Sequence, residues 1–206
     1  MLWHDQQKKI RRGFTLVETL VAVTILVFAL SSFIPLVLLS MQSFATAKER
    51  YIAVKIAQEG IELAINKRDN HVICVKSGSC PGISNWQDNL IGSWEVDATD
   101  LERLKPNREF KNFDSTKLIC IKTNPPQDQG KFAPCSGNET PIPGNYVREV
   151  AITGTAPGCI LVKSTVSWQS RFFSRNIVLE EILFGLPGSG GPTGACSGSG
   201  GVYSLS

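Results

Sequence analysis

Residues 14–41 contain no lysine, arginine or aspartate, and Glu18 is the only charge in that stretch. A helix on the surface of a globular domain keeps a polar face, so a charge-free run this long is not one. Histidine is scarce: His4 and His71 are the only two, and the six cysteines form no C-x-x-C pair. The usual metal-ligand spacings therefore find no candidates, and neither a metal nor another cofactor is expected. G-x-S-x-G, H-E-x-x-H and P-loop patterns are also missing, so the chain is not expected to be an enzyme and no small-molecule substrate is expected. His71, beside Asp69 and Asn70, reads as a solvated residue at a helix end and not as a catalytic base. Glu180 and Glu181 are adjacent on an expected strand, so they face opposite ways and cannot act as a pair. Residues 42–206 carry 17 basic and 16 acidic side chains without a dense basic cluster, so nucleic acid is not an expected partner.

The formal charge of +3 belongs to one place. Lys8, Lys9, Arg11 and Arg12 face only Asp5 within the first thirteen residues, and the remainder is neutral. Next comes an apolar run, 20–39, broken only by Thr24, Ser31, Ser32 and Pro35. About 20 such residues at ~1.5 Å each cross a ~30 Å hydrocarbon layer. With the basic flank on the amino-terminal side, the positive-inside rule puts that end in the cytoplasm and the rest outside. A plain signal anchor has the same outline. Ala45-Thr46-Ala47 resembles a secretory cleavage site, but the apolar run exceeds the usual ~7–15 residues of a secretory signal.

Residues 42–67 lack proline and read as the same helix turned amphipathic. Ile52, Ile56 and Leu63 fall on one side, with Val54, Ala57, Ile61 and Ala64 beside them. Lys48, Glu49, Arg50, Lys55, Glu59, Glu62 and Lys67 take the remaining surface. The helix is expected to run over about 14–67 and to end by residue 70. Gly60 inside it costs about 1 kcal/mol relative to alanine. Residues 71–146 are turn-rich, with short strand candidates at 94–96 and 118–122. Alternation marks stronger strands at 146–153, 159–168 and 176–184. The expected fold is α+β: a long amino-terminal helix whose second half covers an antiparallel sheet formed by the last third of the chain. Residues 185–206 hold eight glycines and five serines and read as a flexible tail.

All six cysteines (Cys74, Cys80, Cys120, Cys135, Cys159 and Cys196) follow the apolar run, which points to disulfides in an oxidising compartment. Fifteen pairings are possible for six cysteines. Spacing favours Cys74 with Cys80 and Cys120 with Cys135, which leaves Cys159 with Cys196; free buried thiols and a metal site are the alternatives. Asn138-Glu139-Thr140 fits a glycosylation sequon, a short pattern that recurs by chance.

The informative stretch runs Lys8-Lys9-Ile10-Arg11-Arg12-Gly13-Phe14-Thr15-Leu16-Val17-Glu18 into the apolar run. It resembles the cleavage and methylation signal of type IV prepilins and of type II secretion pseudopilins. The resemblance implies cleavage after Gly13 by a membrane aspartyl peptidase and N-methylation of Phe14. It also gives Glu18 a role in subunit assembly, through the amine of a neighbouring subunit, and makes Pro35 a helix-kink position. Thr15-Leu16-Val17-Glu18 is in addition a capping box. The implied domains are a cleaved leader 1–13, a membrane or filament-core helix 14–41, an extracytoplasmic domain 42–184 and the tail. The implied role is a structural subunit, of the minor kind, in a type IV pilus-like filament. Its implied partners are the prepilin peptidase, an assembly platform protein and other pilin subunits. Its implied location is the cytoplasmic membrane before assembly and a surface filament after. Two alternatives share much of this outline: a pseudopilin of a type II secretion or DNA-uptake system, and a bitopic membrane-anchored extracellular binding protein.

Overall fold

A computed structural model describes residues 13–78, 82–106, 108–123, 126–137, 139–156, 158–170, 173–185 and 203–205. The leader up to residue 12 and residues 186–202 and 206 of the tail lie outside the described residues. The chain divides between Thr46 and Ala47 into two compact units.

One helix, α1, runs Leu16–Ser77 over 62 residues. In the first unit its side chains are exposed from residue 13 to residue 45. Four hydroxyls there, those of Thr19, Thr24, Ser31 and Ser32, turn back onto the helix. Thr19 Oγ1 donates to Leu16 O and Thr24 Oγ1 to Val21 O, both at 2.8 Å, and Ser31 Oγ donates to Phe28 O at 2.9 Å. A hydroxyl satisfied within its own helix costs little in an apolar surrounding.

In the second unit, α1 buries Ala53, Ile56, Ala57, Gly60, Ile61, Leu63, Ala64, Lys67, His71 and Val72. The face opposite them is a six-stranded antiparallel sheet in the order β2-β1-β5-β6-β7-β8. Its strands are β1 (Gly92–Glu95), β2 (Lys111–Asn112), β5 (Val147–Ala156), β6 (Cys159–Gln169), β7 (Ser174–Phe184) and β8 (Tyr203–Leu205). Two further strands, β3 (Ile119–Ile121) and β4 (Phe132–Pro134), pair as a separate ribbon. Alternation along β6 sends Ile160, Val162, Val166 and Trp168 inward, while Lys163 stays exposed and meets Glu180 across the strands at 3.1 Å. Gly60 sets how near the helix lies. A Cβ there would sit 2.8 Å from Ser164 Oγ, 3.1 Å from Arg148 Cδ and 3.1 Å from Val150 Cγ2. The glycine that weakens the helix locally is the one that lets its backbone approach β5 and β6.

Several expectations need correcting. The helix extends to Ser77, beyond the expected end by residue 70. The run Lys67-Arg68-Asp69-Asn70-His71 has a loop-like composition, but Lys67 and His71 stand on the buried face and continue its period into Val72. Gly78, at φ +67°, supplies the left-handed residue that ends the helix. His71 is therefore a fully buried residue and not a solvated turn residue. The sheet also draws on more than the last third of the chain, because β1 and β2 join its edge. At the opposite edge, Tyr203–Leu205 of the expected tail pairs with Ile177–Leu179 of β7.

Buried charges fasten α1 to what it packs on. Arg148 points inward from β5, its side chain 1% exposed. Its guanidinium donates to Ile56 O (3.0 Å), Glu59 Oε2 (3.1 Å) and Val96 O (2.5 Å), with Phe132 O at 3.5 Å. Glu59, assigned to the solvent side by its charge, closes this cluster and accepts from Phe132 N at 3.3 Å. Burial pushes the Glu59 carboxyl up and the Arg148 guanidinium down, and their mutual attraction opposes both shifts. Lys67 is likewise buried. Its ammonium donates to Arg103 O (2.7 Å), Lys105 O (2.5 Å) and Arg108 O, and lies 5.4 Å from the centre of the Phe110 ring. Burial, with Arg103 nearby, pulls Lys67 down to about 8. Burial first, then the Lys67 charge, pulls His71 down to about 4, against the opposing pull of Trp86 O at 3.2 Å from Nδ1.

Two outcomes follow. Gly60→Ala gains helix propensity but forces the helix off β5 and β6, so the full chain in detergent should lose about 1–3 kcal/mol in thermal denaturation; an unchanged or higher melting temperature would contradict the close approach. His71 has a depressed folded-state pKa, so its contribution is complete above 6.5 and is lost as pH falls through about 4. Between those values the parent should lose on the order of 3 kcal/mol more than His71→Gln. Parallel stability–pH curves for the two proteins would refute a neutral buried imidazole.

Candidate functional site

Gly13, Phe14 and Thr15 precede the helix, and α1 begins at Leu16. Thr15 caps it: Glu18 N donates to Thr15 Oγ1 at 3.3 Å, and Thr19 N to Thr15 O at 3.2 Å. The cap leaves the Gly13–Phe14 peptide outside the helical ladder. Nothing lies within 4 Å of where a Gly13 Cβ would stand, and Phe14 is 78% exposed. A protease needs free backbone groups on both sides of the bond it cuts, and this bond has them. Two bonds further on, at Thr15–Leu16, the carbonyl is already taken by Thr19 N.

Glu18 lies in the first turn, exposed, where the unpaired helix amides favour a negative charge. It is the one charged residue of the stretch 14–41, and such a group requires a cationic partner once water is excluded. A chain that begins at Phe14 carries its new α-amine four residues before Glu18. Pro35 lies inside α1, which continues through it. The ring leaves Ser31 O without its helical donor. Ser31 and Ser32 meanwhile donate their hydroxyls one turn back, to Phe28 O and Ala29 O.

Of the six cysteines, Cys120 and Cys135 are bonded to each other across a separation of 15 residues, as their spacing led us to expect. They join the middle of β3 to the residue that follows β4. Lys122 reinforces the same ribbon, donating to Pro134 O (3.3 Å), Ser136 Oγ (3.1 Å) and Glu139 Oε2 (2.7 Å), and this contact holds the Glu139 carboxyl below its usual range. Cys74 and Cys159 are also in disulfides. Cys80, Cys196 and the sequon residue Asn138 lie outside the described residues. His71, buried against Trp86, faces no solvent, and Glu180 is taken up by Lys163. Among the described residues, no three His, Cys, Asp or Glu side chains come together in a way that could hold a metal.

Sequence reasoning missed the inward roles of Arg148, Glu59 and Lys67. For Arg148 a signal existed: it shares parity with Val150 and Ile152 on β5, so an inward strand face necessarily includes it.

Compared with known proteins, residues 8–34 match the family described as the prokaryotic N-terminal methylation motif, the signature of type IV prepilins. No curated protein and no solved structure matches the chain. The layout of one long amino-terminal helix packed on an antiparallel sheet fits a pilin-like fold.

Proposed function

We propose that this chain is a structural subunit of a type IV pilus-like filament. It is made as a membrane-held precursor, clipped after Gly13 and N-methylated on Phe14. The observation that carries this reading is the methylation motif at 8–34, with its Gly13–Phe14 bond in uncovered backbone directly before a capped helix. Before clipping, the apolar half of α1 spans the cytoplasmic membrane and the basic leader stays inside. Clipping removes four of the basic residues that hold that end at the membrane surface, so the helix can be drawn out of the bilayer. Glu18 then pairs with the α-amine of a neighbouring subunit, which neutralises both charges in the apolar filament core and sets axial register. Partners are the prepilin peptidase, the assembly platform and other pilin subunits.

The role is that of a minor subunit. In support, the connection between α1 and β5 is irregular and carries a disulfide-clamped ribbon, a surface suited to few copies. The matched motif serves pseudopilins of secretion systems equally well.

Gly13→Val should block clipping and leave the full-length precursor in membranes, with the processed fraction cut at least about tenfold on a gel. Glu18→Gln should be clipped normally but fall about tenfold in sheared filament material, because a neutral amide cannot match the amine. A bitopic protein outside any filament would show neither effect.

A further inference from the structure

The outward stripe of α1 is sorted by charge. Lys48, Tyr51, Lys55, Gln58, Glu62 and Asn66 recur every three or four residues, and all are exposed. The front of the stripe is cationic, with Arg50 exposed beside it and the Lys55 ammonium 5.8 Å from the Tyr51 ring. Among the described residues, Lys48, Arg50, Lys55 and Glu62 enter no salt bridge.

Further along the same helix is a pocket of about 360 Å³ lined by Glu62, Ile65, Asn66, Asp69 and Asn70. Its charged groups are the carboxylates of Glu62 and Asp69, and Asn66, whose Oδ1 accepts from Asn70, adds an amide Nδ2 donor at the rim. Asn70 Nδ2 already donates to Asn66 Oδ1 (2.9 Å) and Leu104 O (3.0 Å), which leaves the Asn70 oxygen unengaged by those bonds. Asp69 Oδ1 takes Arg68 Nε at 2.6 Å, while Arg68 Nη1 is drawn away to Phe184 O at 2.9 Å, so Oδ2 remains. Two carboxylates and an amide oxygen around one aliphatic wall make a receptor for a long basic side chain: the stem lies on Ile65 and the head among the oxygens.

We propose that this pocket receives a basic side chain, Lys55 foremost, from the front of the same stripe on a second copy of this chain. Charge complementarity along one helix pairs them. The cationic and acceptor parts lie on one exposed stripe, separated by 11 residues from Lys55 to the pocket centre at Asn66, about 16 Å of axis. Two parallel copies staggered by that length bring one copy's Lys55 to the other's pocket. The contact is heterologous, so it joins neighbouring copies of this chain where two of them meet and leaves the other half of each stripe to the rest of the filament. The inference rests on the filament-subunit reading and adds to it which surfaces meet outside the apolar core.

The test is charge reversal in the full chain in its native host. The readout is this subunit recovered in sheared filaments relative to the clipped chain in membranes. Lys55→Glu and Glu62→Lys should each lower that ratio about fivefold, and the double variant should return it to within about twofold of the parent. Thermal denaturation in detergent checks that all three fold. Clipped, folded single variants that assemble like the parent would overturn the docking proposal and leave the filament reading intact. So would a Lys55→Glu defect with no matching Glu62→Lys defect, which would place a different chain at Lys55. Absence of clipping in the parent would instead sink the filament reading and this proposal with it.

Discussion

A helix keeps its backbone hydrogen bonds in any surrounding, and α1 relies on that along its 62 residues, interrupted at Ser31 O where Pro35 supplies no donor. Only the side chains need to change with the environment. Up to residue 45 they are almost all apolar and exposed, with the hydroxyls of Thr19, Thr24, Ser31 and Ser32 turned back on the helix. From Ala53 onward they divide into a buried face and a charged stripe. One secondary structure carries both an exposed apolar half and a half packed on a sheet. Every other element of the second unit is placed by how closely that sheet can meet the helix.

Gly60 and Arg148 set that meeting. The glycine admits Ser164 and Val150 to the helix backbone, and the arginine bonds the helix at Ile56 and Glu59, then reaches Val96 beyond β1 and Phe132 on β4. A guanidinium that deep is retained only if nearly all its donors are met. Lys67 acts similarly on the next turns, gathering carbonyls of Arg103, Lys105 and Arg108 onto the helix. Specificity in this domain therefore comes partly from buried cations that tie irregular backbone to regular backbone, because the strands of the middle region are only two to four residues long.

The helix-then-sheet layout and the three long strands were legible because both rest on periodicity: 3.6 along residues 42–67 and 2 along β5, β6 and β7. The Cys120–Cys135 bond was legible from spacing. What escaped were residues whose chemistry points one way and whose position points the other. Lys67 and His71 read as the polar end of a helix, yet the fold buries both and continues to Gly78. Glu59 read as solvent-facing because its partner, Arg148, lies 89 residues away. β2, β4 and β8 are too short to carry a pattern of their own and exist because a neighbour offers an edge. The amino-terminal segment is the reverse case. There the order of residues around Gly13, Phe14 and Glu18 carries the signal by itself, and the fold adds that the bond in question is capped out of the helix and uncovered.

We propose the Gly13–Phe14 bond as the processing site of a filament subunit. Mass spectrometry of the amino terminus, on protein from membranes and from sheared surface material of the native host, tests it most directly. The account predicts a mature chain beginning at N-methylated Phe14 in the sheared material. A chain beginning at Met1 or at Lys48 would contradict it, the first by retaining the leader and the second by lacking the apolar half of α1.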